Sequence, residues 1–543
     1  MARRLTMFSK LIITLLILAA VFFGGLWLVN NTQVGKSIKD KVEQEKQDDD
    51  RNDNSSEASN SSTKKNGGLF SKSSGGDGDE NTLRVQLVMW GGYAPGLYFN
   101  EGAEANTRSR YFKDYNMKVD FKMENDLMNA LNAWIADEYD ILVQTADAFS
   151  FYTAPDELAA LKPKAFMQVD WSRGGDAIIV KRGINSVNDL KGKKIALAVP
   201  APAQTMLVTA LESAGLSMDD VELIKTSDNL KAAELFRSPD VDAAVVWSPD
   251  DIIATRDVPG SKILLTTREQ SHIIGDIMFA KEDVMESKRE MFNAFYEGWM
   301  KAVAELKNPA NTEKAAKYLA EFTEVSVEDS KGMMENVYYS SHGDNLNFFG
   351  LNNSFKGMKG GDLYDKMNTK FVQMGDNEKL GPSWRGVINT GPIRSADANL
   401  QGARYAAEKD KSFKPATQAD KSIPAFAIKP ISINFSSGQY ALTENAKTII
   451  DLQFAEIAKS FGNVKVRVEG NTDNVGAKAM NLQLSQKRAQ AVVDYLKTAY
   501  GMSTNRFVIV GNGPDKPVKG CESNQTEQCK AKNRRTEFQL IPA

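Results

Sequence analysis

From Leu83 onward, short apolar runs take turns with stretches of helical periodicity, and this alternation restricts the fold more than any other feature of the chain. LRVQLVMW, DILVQTA, GKKIALAV and VDAAVVW read as buried strands. LMNALNAWIA and TMLVTALESAG, the second closing on a glycine, carry apolar residues at helical spacing. Strand and helix in turn argue for βαβ units around a mainly parallel sheet. In such sheets ligands settle at the carboxyl ends of strands, where the connecting loops open a crevice. Further on, KREMFNAFYEGWMKAVAEL and TEKAAKYLAEF are helical, and most of their aromatic residues belong to the core.

The chain has 543 residues, enough for two or three folded units with linkers between them. Its 67 basic and 70 acidic side chains nearly cancel, and no basic cluster gives the footprint of a nucleic-acid-binding domain. With two histidines, His272 and His342, and two cysteines, the sequence is poor in ligands for zinc or haem, so neither a metal nor a cofactor is expected.

Arg3, Arg4 and Lys10 precede an uncharged apolar run from Leu11 to Val29. As a helix it would span ~28 Å, close to the ~30 Å hydrocarbon thickness of a bilayer. A secretory signal has a shorter apolar region and a small-residue cleavage site, whereas Gly24 and Gly25 sit among Phe22, Phe23 and Trp27, and no cysteine follows to make a lipoprotein. The expectation is a single uncleaved transmembrane helix at 11–29 in the inner membrane, with residues 1–10 held in the cytoplasm and the rest exported. Cleavage is the alternative. Residues 30–82 are polar and repetitive, and read as a disordered linker with a reach of roughly 40 Å. Its run Asp48-Asp49-Asp50 does not make a calcium loop, because Asp53 and Ser59 stand where an EF-hand requires glycine and glutamate.

A second shift in composition, 397–423, reads as a linker before a last domain at 424–543. That domain alternates strand (ISINF), helix, strand (VKVRVEG), helix, strand (RFVIVGNG) and strand (TEFQLI), an α+β pattern. Between its second strand and second helix lies a loop framed by Gly470 and Gly476 that contains Asp473; Arg488 follows on the face of the helix that also carries Asn481 and Leu484. An acid and a guanidinium flanking one pocket would suit a zwitterionic amino acid, although the two could equally form a structural salt bridge. Gly470-Asn471-Thr472-Asp473, Gly476, Asn481, Leu484-Ser485, Arg488-Ala489, Val492, Tyr495-Leu496 and Asn533-Arg534-Arg535 together resemble the OmpA-like peptidoglycan-binding family. The resemblance implies non-covalent capture of the diaminopimelate moiety of peptidoglycan by Asp473 and Arg488. Thr472, Asn481 and one of Arg534 or Arg535 would assist. Met480 stands where many members have tyrosine. Cys521 and Cys529, close together in an exported domain, are expected to form a disulfide.

Residues 83–396 resemble periplasmic solute-binding proteins of the nitrate, sulfonate and taurine kind. The resemblance rests on Ser186-Val187-Asn188-Asp189-Leu190-Lys191-Gly192-Lys193-Lys194-Ile195-Ala196, on DDVELI, and on Val241-Asp242-Ala243-Ala244-Val245-Val246-Trp247, with a late helical run ending in ENVYYSSHGDNLNFFG. It implies a two-lobed α/β fold closing about a small anionic or zwitterionic solute. The candidate ligand groups lie at strand ends: Trp90, Gly91, Gly92 and Tyr93; Gln144 and Thr145, with Ala146-Asp147 behind them; Gln204 and Thr205; and Trp247. Core packing competes for Trp90 and Trp247, and helix capping for Gln204 and Thr205. Asp176, after two glycines, reads as a surface loop acid more readily than as a ligand for an amine. The superfamily also contains a thiamine-pyrimidine synthase with a cysteine-rich motif, but this unit holds no cysteine, which argues against an enzyme. A flagellar-stator reading fails because the apolar run 11–29 contains no carboxylate. The sequence therefore reads as a membrane-tethered, wall-attached binding protein serving an ABC permease or a sensor. In the alternative, the solute-binding fold is a spacer linking membrane to wall.

Overall fold

The computed structural model describes residues 81–199, 202–433, 435 and 438–543. The basic end, the apolar run 11–29 and the polar segment up to residue 80 lie outside the described residues, and among those described no helix is long and apolar enough to cross a membrane.

The first lobe opens with β1 (Thr82–Leu87), β2 (Lys118–Met123), β3 (Leu142–Thr145), β4 (Pro163–Gln168) and the short β5 (Asp170–Ser172). The chain then crosses into a second lobe built on β6 (Asp176–Val180), β7 (Lys194–Ala198), β8 (Glu222–Thr226), β9 (Ala243–Trp247) and β10 (Lys262–Thr266). It returns through β11 (Asp276–Lys281), which lies antiparallel between β3 and β4, and later adds β12 (Val337–Tyr339) against β5. β1 and β2 pair in parallel, and a bridge from Val85 to Ile141 joins them to β3. The second lobe runs β10-β6-β9-β7-β8, with β6 antiparallel to both of its neighbours. The mainly parallel sheet expected from the alternation is thus two mixed sheets. The physical reason is the crossing itself: β6 and β11 each enter their lobe from the other one, so they run against the strands beside them.

Side-chain alternation along β6 supplies both faces of the second sheet. Ile178 and Val180 pack with the helix Pro202–Ser213, while Ala177 and Ile179 pack toward the helix Asn229–Phe236. In the first lobe Trp134, Phe279, Phe295, Tyr296 and Trp299 are buried together, as expected for the aromatic residues of the long helix Arg289–Leu306.

The C-terminal domain is a four-stranded sheet in the order β13-β16-β14-β15, from β13 (Ala427–Ile431), β14 (Lys465–Asn471), β15 (Phe507–Gly513) and β16 (Thr536–Ile541), with the helix Lys478–Tyr500 packed on β14 and β15. Its first strand falls on AIKPI rather than on ISINF. Pro430 disguises it, because a proline is admitted to a sheet only at an edge, and β13 is an edge strand.

Residues 397–423, expected to be a separating linker, are docked instead. Leu400, Tyr405 and Phe413 are buried, and Asp420 receives the Lys465 ammonium at 2.9 Å. The free edge of β13 is covered by the second lobe: Asn188 accepts from the Ile428 N–H and donates to its carbonyl, each at 2.9 Å, and the Val187 N–H donates to the Phe426 carbonyl at 2.7 Å. Lys366, nearly buried, bridges Glu212 at 2.7 Å and Glu456 at 2.9 Å across the same interface. Glu212 keeps Lys370 at 2.9 Å and Glu456 is partly exposed, so Lys366→Ala should lower the unfolding free energy by about 1 kcal/mol. Urea titration measures it; a loss under about 0.5 kcal/mol would mean the network sits in water.

Candidate functional site

Two constellations carry polar chemistry, one in each folded region. In the C-terminal domain, β14 ends at Asn471 and the loop that follows turns at Gly476, whose φ of 92° favours glycine. Asp473 lies in this loop. Its Oδ1 accepts from the Val475 N–H at 3.1 Å, and its Oδ2 takes the Arg534 guanidinium at 2.6 Å. The Asn481 amide donates to the Val475 carbonyl at 3.0 Å, so it braces the loop from the helix. Thr472 is buried and its hydroxyl donates to the Asp473 carbonyl at 2.8 Å. Arg488 lies on the Phe435 ring, 4.8 Å from its centroid, and donates from Nε to the Gln439 carbonyl at 3.1 Å. Among the described residues its two terminal nitrogens have no partner. Burial pushes the Arg488 guanidinium down from its usual range, opposed by the charge of Asp473 and reinforced by Arg534, which puts all three groups within electrostatic reach. Arg535 is not among them: it forks onto Glu537 and donates to the Lys516 carbonyl, so of the two candidate arginines the structure brings only Arg534 to the loop. Cys521 and Cys529 form the expected disulfide, with Cα atoms 5.0 Å apart, which ties the loop at Cys521 to the short helix Glu527–Asn533.

The second constellation lies where the lobes meet. Residues 169–176 and 267–276 cross between them side by side: the Ser172 N–H donates to the Ile274 carbonyl, the Val169 N–H to that of Asp276, and the Thr267 N–H to that of Asp176. Four aspartates gather on these segments and the loops beside them. Asp170 accepts from the Trp90 indole at 2.9 Å, Asp276 from the Tyr93 hydroxyl at 2.7 Å and Asp176 from the Ser172 hydroxyl at 2.7 Å. Asp147 of the first lobe accepts from the Thr205 hydroxyl of the second. All four are buried. Burial pushes the Asp147 carboxyl up to about 6 and, with the charges of Asp276 and Asp147 adding to it, that of Asp176 up to about 7. Asp170 and Asp276 are raised by burial and, respectively, by the neighbouring charges of Asp276 and Asp147.

The expected solute-binding residues divide. Trp90, Tyr93 and Thr205 each hold one of these carboxylates. Gly92 is required by the close approach of Asp170, since a Cβ there would lie 1.6 Å from Oδ2; Gly91 packs in the same way on the Met333 carbonyl. These glycines admit the protein's own atoms rather than exposing amides to a ligand. Gln144 and Thr145 bond to one another and Gln144 to Tyr152, and Gln204 turns away to Asp376 at 2.7 Å. Trp247 is 41% exposed, which removes the core reading. Asp176, expected at the surface, is 5% exposed. Asp170 and Asp276 escaped the sequence reading because they open strands whose hydrophobic pattern dominates; the only signal was an acid at the head of each of β5, β6 and β11. His272 and His342 serve structure, with His342 held between Tyr296 and Asp397.

Two mixed sheets with the chain crossing twice between them, followed by a four-stranded α+β domain, define a two-lobed α/β body joined to a smaller C-terminal module. Residues 434–534 match the OmpA family, and residues 105–312 match the family described as NMT1/THI5 like. The chain therefore carries a region similar to OmpA domains at its C-terminus and, before it, a region similar to NMT1/THI5-like proteins. Over 131 residues it is 30% identical to outer membrane protein A of Bordetella avium, covering 23% of this chain and 65% of that one. Over 154 residues it is 29% identical to the peptidoglycan-binding protein ArfA of Mycobacterium tuberculosis, covering 28% and 45%. The chain thus spans less than two thirds of the length of these relatives. The periplasmic aliphatic sulphonate binding protein SsuA of Escherichia coli aligns with 58% of this chain and all of its own, at 16% identity and a TM-score of 0.44.

A carboxyl raised in the folded state binds protons that the unfolded chain has released, so it favours folding fully below its ordinary value near 3.8 and loses that contribution as pH rises through its folded value. A carboxyl raised by one pH unit on folding contributes ~1.4 kcal/mol in this way. Asp176→Asn should therefore gain stability relative to the native protein between pH 5 and pH 8 in urea titrations without ligand. A difference that is flat, or that falls, across this interval would show that Asp176 is ionised and compensated.

Proposed function

We propose that the chain is an envelope binding protein with two grips: its C-terminal domain holds peptidoglycan without a covalent bond, and its two lobes close on a small solute. The observation that carries the first grip is the pairing of an Asp473 carboxylate with the open fork of Arg488 at one loop. The ammonium and carboxylate of a diaminopimelate centre present the complementary charges, and the cation already on Asp473 through Arg534 marks where an ammonium would be accepted. The second grip is supported by hydrogen bonds that reach across the lobes, as from Thr205 to Asp147. In this reading the solute is passed to an ABC permease or a sensor, and the run 11–29 anchors the chain in the inner membrane with its bulk in the periplasm. The firm docking of the C-terminal domain on the second lobe also suits a spacer between membrane and wall, and that second reading requires the lobes to bind nothing.

Sedimentation with purified sacculi tests the first grip. Asp473→Asn, Arg488→Ala and Arg534→Ala should each cut the bound fraction about tenfold or more, in line with loss of a charge-assisted contact. Arg535→Ala should lower thermal stability and leave binding intact. Unchanged sedimentation of the first two variants, or loss with Arg535→Ala alone, would overturn the assignment.

A further inference from the structure

On the reading that the two lobes close on a solute, which the inference drawn here deepens and depends on, the cleft between them carries enough chemistry to name that solute's charge. Asp147, Asp170, Asp176 and Asp276 are 0%, 0%, 5% and 9% exposed, and each lies close enough to at least one other for its charge to be felt. Among the described residues none of the four makes an ion pair, and no lysine, arginine or histidine is a principal influence on any of them. Buried carboxylates are ordinarily paired or fully hydrogen-bonded, since an isolated charge out of water is costly.

Two of these groups keep one oxygen without a partner among the described residues. Asp170 uses Oδ2 for the Trp90 indole and Asp147 uses Oδ2 for the Thr205 hydroxyl, but Oδ1 of each has no hydrogen-bond partner. Asp147 Oδ1 and Asp170 Oδ1 are therefore acceptors open to a donor from outside the described residues. Nearby residues fit an organic cation. Trp247 pairs directly with Asp176 across β9 and β6, so the two side chains rise from one face of the sheet, and the indole is 41% exposed. An aromatic face beside a carboxylate attracts an ammonium or guanidinium through its quadrupole. A bare metal ion suits the site less, since among the described residues no group of three or more Asp, Glu, His or Cys side chains is arranged to hold one. An anion such as a sulfonate or nitrate would meet four acids and no counter-charge.

We infer that the cleft between the lobes selects an organic cation, a solute bearing one or more ammonium or guanidinium groups, with Asp147 and Asp170 accepting hydrogen bonds from it and Trp247 packing on its surface. Entry requires the lobes to part, because the Thr205–Asp147 bond spans them.

Thermal shift and calorimetry on the full chain at pH 7.5 and low salt test the inference with two sets of probes: putrescine, spermidine, arginine and choline in one, and taurine, methanesulfonate, nitrate and phosphate in the other. At least one cation should raise Tm by several degrees and bind in a one-to-one ratio, and no anion should do either. Asp147→Asn and Asp170→Asn should each weaken that cation about tenfold or more, as expected when one charge-assisted hydrogen bond is lost. Because asparagine matches aspartate in shape and carries no charge to be buried, the variants should fold, and an unchanged circular dichroism spectrum checks that they do. Binding of an anion with no response to any cation would overturn the charge assignment and leave a solute-binding protein. No response to either set would overturn the solute-binding reading, and the inference with it. Binding of a cation that is unaffected by both variants would place it outside the cleft.

Discussion

The two chain segments that cross between the lobes, 169–176 and 267–276, set the terms for the rest of this molecule. They are tied to each other by backbone hydrogen bonds, and they feed β6 and β11 into opposite lobes against the direction of their neighbours. Each sheet owes its mixed character to them. They also bring Asp170, Asp176 and Asp276 to the junction, where Trp90, Tyr93 and Ser172 hold them and Asp147 joins from the first lobe. The segments that join the lobes are thus the ones that carry three of these aspartates.

The C-terminal domain is fixed to this frame through a sheet edge. A free β13 would expose unpaired backbone groups, and such edges invite pairing with other chains. Here Asn188 closes the edge with two hydrogen bonds, and the Lys366 network holds the helices behind it. Glu408, on the segment between the domains, reaches back to Arg173 and His272 beside the crossing, and those two groups hold its carboxyl at about 2. The Asp473 loop and the junction between the lobes therefore belong to one connected body.

Much of this was legible beforehand. The glycine-framed loop, Asp473 and the helix bearing Asn481 and Arg488 are contiguous in sequence, so their local order fixes their spatial order. Strand and helix alternation located β1, β3, β7 and β9 because each is a short run rich in buried apolar residues. What escaped depends on distant pairing. β13 is disguised by Pro430, and the docking of 397–423 rests on single buried residues in a polar stretch. Asp170 and Asp276 are more than a hundred positions apart and become neighbours only through the double crossing. Asp176 shows the limit most clearly: two glycines before an acid suggest a surface turn, yet Gly175 is there because the Trp90 ring occupies the space a Cβ would need.

On this account the two-lobed body keeps a cleft in which Asp147 and Asp170 await a positive partner. A crystal structure of residues 81–543 grown with spermidine at pH 7.5 would decide it. The lobes should be closed around the amine, with its nitrogens within hydrogen-bond distance of Asp147 Oδ1 and Asp170 Oδ1 and its chain against Trp247. Electron density for an anion at that position, or an empty cleft with the amine bound only at the surface, would contradict it.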